Sequence, residues 1–117
     1  MEKDRKKALA QEYKEMKKYY GVIQIKNEKN GKIFIDTVAN TKNRWIVYQM
    51  SLKSNRLINK ELQKEWNEFG AEAFTYTILW EKDSSQIKDM KYELKKLKKE
   101  WLLKLEPFDD KGYHKPL

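Results

Sequence analysis

Over thirty residues the chain gathers Tyr19, Tyr20, Asp36, Arg44 and Tyr48, side chains that can hold a phosphate or move a proton. A guanidinium grips two phosphate oxygens in one plane. A phenol hydrogen-bonds phosphate or water, and a carboxylate can hold a divalent cation. Two tyrosines and an arginine this close to a hairpin point to phosphate chemistry. Packing competes for the same residues, because Tyr48 falls on one helical face with Trp45 and Leu52.

Composition narrows the partners and the chemistry. Lys and Arg number 26 against 18 Asp and Glu, a net charge of +8, which favours a polyanion such as DNA or RNA. The excess is spread along the chain rather than gathered in a tail. There is no cysteine, which removes disulfides, thiolate metal sites and cysteine nucleophiles. No stretch has the apolar length of a signal peptide or a membrane span, so a cytoplasmic protein of bacterial type is expected. The only histidine, His114, stands without a second metal-ligating neighbour and is expected at the surface. Phosphate-binding glycine loops, zinc motifs and nucleophile elbows are absent from the sequence.

These residues need elements to position them. Leu9, Tyr13, Met16 and Tyr20 recur at helical spacing and predict a helix from about Asp4 to Tyr19. "GVIQI" and "KIFID" read as strands around a turn in which Asn30-Gly31 supplies positive backbone angles. Asn40 or Thr41 can cap a helix carrying Trp45, Tyr48 and Leu52 on one face. Asn59 can cap another, with Leu62, Trp66 and Phe69 inward and Gly70 at its end. "AFTYTILW" sets Phe74, Tyr76, Ile78 and Trp80 against Thr75, Thr77 and Leu79, a third strand. Asp83 with Gln86 predicts the start of a last helix, whose Ile87, Met90, Leu94, Leu97 and Trp101 form a core-packing stripe up to Pro107. The expected fold is α+β: one domain over 1–117, with a small, mainly antiparallel three-stranded sheet near 20–26, 32–37 and 73–80. Helices over 1–19 and 84–106 and a tail over 107–117 complete it.

In this order the elements resemble the GIY-YIG nuclease superfamily, over a core of about 20–83. Gly21-Val22-Ile23 stands where Gly-Ile-Tyr would be, and Phe34-Ile35-Asp36 where Tyr-Ile-Gly would be. "NEKNGK" is similar to the family's hairpin. Asn40, Arg44 and Trp45 match its helix start, and "NEFGAEAFTYTILWE" its last strand. The resemblance implies metal-assisted phosphodiester hydrolysis by two motif tyrosines, the helix arginine, a His or Tyr one turn later and a glutamate ending the third strand.

Arg44 and Tyr48 occupy their positions as the retained catalytic pair. Ile23 and Phe34 replace the two tyrosines, and neither side chain can take or give a proton. Asp36 replaces the motif glycine and brings negative charge toward a phosphate cleft. Trp80 stands at the metal-ligand position, leaving Glu81 or Asp36 as weak candidates; Glu81 would serve only if the strand stops or bulges at Trp80.

The resulting expectation is a non-catalytic domain binding DNA or RNA weakly and without sequence preference, through Lys32, Asn40, Lys42 and Arg44, with no cofactor. The first alternative is a divergent endonuclease using Mg2+ or Mn2+. The second is a protein-interaction module or homodimer joined through the terminal helices.

Overall fold

The computed structural model describes residues 18–116. β1 (Tyr19–Asn27) and β2 (Ile33–Val38) form an antiparallel hairpin, and β3 (Phe74–Asp83) pairs antiparallel with the other side of β1, giving the order β2-β1-β3. The helix expected over 1–19 falls almost wholly outside the described residues; Tyr19, expected at its end, instead begins β1. In the hairpin turn Gly31 alone takes the left-handed region, at φ 77°. Asn30 contributes its side chain instead: Oδ1 accepts from the Lys32 amide and Nδ2 donates to Glu65, tying the turn to a helix.

Among the described residues three α-helices surround the sheet: α1 (Arg44–Lys53), α2 (Lys60–Phe69) and α3 (Met90–Leu105). Asn59 caps α2 as expected, accepting from the Leu62 amide at 3.0 Å, and Gly70 ends it. Two other helix starts differ from expectation. Neither Asn40 nor Thr41 caps α1, which Asn43 enters from a left-handed conformation, because the Thr41 hydroxyl is committed to Glu81. Asp83 does not begin α3, because it pairs with Tyr19 as the last residue of β3; Asp89 caps α3 by accepting from the Tyr92 amide.

The sheet separates two apolar layers. Under α1 and α2 lie Ile23, Ile25, Phe34, Tyr48, Leu52, Leu62, Trp66 and Phe74. Under α3 lie Tyr20, Val22, Ile35, Leu97 and Leu102, against which the predicted stripe of Ile87, Met90, Leu94 and Trp101 packs. On the outward side of α1, Ile46, Val47 and Met50 are exposed.

The strict alternation expected along β3 is broken. Val22 pairs with Trp80 but Ile23 pairs with Ile78, so Leu79 is an inserted residue, a β-bulge. Leu79 and Trp80 consequently both pack toward α3, where Trp80 meets the Tyr20 ring edge-on at 5.4 Å. Glu81 is turned to the opposite face, opposite Gly21. A Cβ on Gly21 would lie 2.2 Å from the Trp80 carbonyl oxygen, so only glycine admits this approach.

The C-terminal tail runs along the outer edge of β2. The Tyr113 amide donates to the Ile33 carbonyl and the Ile35 amide donates to His114 Nε2 at 2.8 Å, covering backbone groups that an edge strand leaves open. Among the described residues no helix is long and apolar enough to cross a membrane.

Candidate nucleic-acid interface

α1 lies over the sheet face that carries Asp36, Ile23, Ile78 and Glu81, and its first residue is Arg44. The guanidinium sits 5.2 Å above the Tyr48 ring, a cation–π contact that fixes its direction. Arg44 Nε is buried without a hydrogen-bond partner.

The ring and the hydroxyl of Tyr48 have separate partners. Its ring is buried at 5% exposure against Phe34, and its hydroxyl donates to Asp36 Oδ2. Burial, and then the Asp36 charge, hold the Tyr48 hydroxyl well above the ordinary tyrosine range. It is therefore a donor at neutral pH and not a base. Asp36 also accepts from the Thr37 amide and lies 3.8 Å from Lys98 Nζ of α3. Its negative charge is thus met inside the protein rather than presented bare to a phosphate.

His114 corrects the sequence reading. Instead of standing free on the surface, it stacks on Phe34 at 5.2 Å with its Nε2 accepting from the Ile35 amide. Burial, and then the Lys98 charge, lower its pKa to about 4, so the ring is neutral near pH 7 and able to accept that bond. Only a lone histidine in the sequence hinted at this. The pairing spans 79 residues, and no local pattern encodes it.

Ile23 and Phe34 are buried hydrocarbon at the two hairpin positions, with no group that takes a proton. Trp80 packs toward α3. Glu81 reaches the α1 face through the bulge, and its Oε2 accepts from the Thr41 hydroxyl at 2.8 Å. A divalent metal, which the fold type implies, finds a poor donor set here. Among the described residues no group of three or more His, Asp or Glu converges on a common point, and Asp36 is engaged by Tyr48 and Lys98.

The remaining predicted residues are dispersed. Lys32 pairs with Glu61 at 2.9 Å and Glu65 at 3.6 Å, away from Arg44. Asn40 Oδ1 accepts from the Lys42 amide, forming the turn ahead of α1, and Lys42 is exposed. In their place the fold brings together cations that local sequence does not connect. A cleft of about 910 Å³ between α1, the α1–α2 loop, β2 and the tail is lined by Arg44, Arg56, Lys60, Lys98 and Lys115, against the carboxylates Asp36 and Glu61. Glu61 is already paired with Lys32, so the cleft is electropositive.

The three-stranded antiparallel sheet and its flanking helices form a GIY-YIG endonuclease-like fold. The chain is similar in structure to a glutamate-to-alanine mutant of the catalytic domain of intron endonuclease I-TevI, with a TM-score of 0.68 at 24% identity, covering 82% of this chain and 92% of that one. It is similar also to the catalytic domain of homing endonuclease I-TevI, with a TM-score of 0.65 at 22% identity, covering 80% and 95%. No family model matches the sequence, and no curated protein matches it significantly. At this identity the likeness establishes the fold alone.

Proposed function

We propose that this protein binds nucleic acid on a nuclease scaffold whose hydrolytic groups have been replaced. The observation that carries the reading is the cleft beside Arg44, where five cationic side chains surround two carboxylates that are each already partnered. Cations so arranged neutralise phosphates and release counterions on binding. Arg44 can grip a phosphate, but the positions beside it hold Ile23 and Phe34, and the Tyr48 phenol donates to Asp36. Holding substrate and transition state alike gives binding without rate.

The test is a titration of single- and double-stranded DNA and RNA across salt concentrations, by fluorescence anisotropy, with cleavage followed in parallel with and without Mg2+ or Mn2+. Binding should weaken steeply with salt, and Arg44→Ala should lower the salt slope by about one. Absence of binding at low salt would refute the reading.

One observation favours the second reading, a divergent endonuclease: the bulge at Leu79 turns Glu81 onto the face that carries Arg44. Metal-dependent cutting that disappears in Arg44→Ala and Glu81→Ala would establish it in place of the first.

A further inference from the structure

Ile58 is 94% exposed, far more than any other large apolar side chain among the described residues. Its neighbours are anything but loose. Leu57 is buried, and its amide donates to Oε1 of the buried Gln63, whose amide nitrogen in turn donates to the Leu52 carbonyl. On the other side Asn59 caps α2 and donates to the Tyr113 carbonyl at 2.8 Å. Ile58 is therefore held outward between two anchored residues, with its apolar surface wholly in water. The arrangement spends burial energy that an isoleucine could otherwise gain.

Charge identifies what it meets. Arg56 and Lys60 flank Ile58 two residues to either side, and all three line the electropositive cleft with Arg44. Aliphatic side chains set among phosphate-binding cations are the means by which proteins enter a base stack, prising one step apart while the cations hold the backbone. A partner with an acidic but otherwise hydrated surface would match the cations and leave Ile58 unburied. A base step satisfies both.

We propose that Ile58 is a wedge that inserts between adjacent bases of nucleic acid held in this cleft, with Arg56 and Lys60 on the flanking phosphates. The proposal rests on the nucleic-acid-binding reading and adds to it a point of insertion and a distortion of the ligand.

The experiment uses the full chain with DNA and RNA oligonucleotides, single- and double-stranded, carrying 2-aminopurine at successive positions; its fluorescence rises when it is unstacked. Saturating the wild-type protein should raise the signal at one step. Ile58→Ser, a change at an exposed position, should abolish that rise and weaken binding about five-fold, from the apolar surface no longer buried between bases. It should leave the salt slope unchanged. Arg56→Ala should lower the slope by about one. If Arg44→Ala weakens binding while Ile58→Ser alters neither signal nor affinity, the wedge is wrong and the binding reading stands. Lost affinity with no wild-type fluorescence change would also overturn insertion, leaving Ile58 as a groove contact. If wild-type protein binds none of the oligonucleotides, both fall together.

Discussion

The two faces of the sheet are built on different terms. Under α3, Tyr20, Val22, Ile35, Leu97 and Leu102 interlock with Trp80 and the helix stripe, almost all of it hydrocarbon. Under α1 and α2 the packing is as tight but interrupted by polar groups: the Tyr48–Asp36 pair, Arg44, and Tyr76, whose ring stacks on Trp45 at 5.4 Å. On the same side the buried Tyr113 hydroxyl faces Glu65 and Asn27, and Arg44 Nε and the Tyr76 hydroxyl are buried without a hydrogen bond. Buried polar atoms cost stability unless they are paired, so this side packs on less favourable terms than the α3 side. The α3 face anchors the sheet, and the α1 face carries the candidate site.

This division breaks most severely if the anchoring face is damaged. Leu97→Ala should lower unfolding free energy by about 2–5 kcal/mol, the range for a buried leucine truncated in a tight core, as read by urea denaturation. Affinity of the folded fraction for an oligonucleotide should not change. A large loss of affinity would show that the two faces are not separable.

Next in size is Tyr48→Phe, which keeps the ring and removes the donor to Asp36. Leaving that carboxylate without the phenol should cost about 1–3 kcal/mol. Asp36 would still have Lys98 at 3.8 Å, so the change should be larger at high salt, where that exposed pair is screened. A neutral substitution at both salt concentrations would mean that the pair does not hold the face together.

A third effect should come from pH. His114 has its pKa lowered from 6.5 to about 4 in the folded protein. Between those values the unfolded chain binds a proton that the folded chain does not, so stability from this group is full above pH 6.5 and is lost as pH falls toward 4. Thermal denaturation across that window should show a dependence that His114→Gln reduces. Other ionisable groups add their own slopes, and the difference between wild type and variant isolates this one.

Smallest should be Lys32→Ala. Its partners are partly exposed, and such pairs contribute up to about 1 kcal/mol. Because this lysine points into Glu61 and Glu65 rather than the cleft, the salt slope of nucleic-acid binding should stay as in wild type. A drop of one would return Lys32 to the interface where the sequence alone had placed it.

Much of the fold was legible because its signals are local. Asn30-Gly31 makes its turn from neighbouring residues, and Asn59 caps α2 through an amide three residues on, so both signals can be read locally. The apolar stripe of α3 is a property of helical periodicity alone, and its burial followed. That Ile23 and Phe34 carry no proton-accepting group is likewise a matter of residue identity, independent of geometry.

The tertiary structure decided which groups meet. The inserted Leu79 reverses the outlook of Trp80 and Glu81, and that reversal depends on Gly21 of another strand admitting the close approach. His114 reaches Ile35, Lys98 reaches Asp36, and Thr41 leaves its helix start for Glu81, each across tens of residues of chain. The cleft cations Arg56, Lys60, Lys98 and Lys115 look in sequence like any solvated charge. A charged side chain has no periodicity that marks its partner, and its energy depends on distance and dielectric, which exist only once the chain is folded.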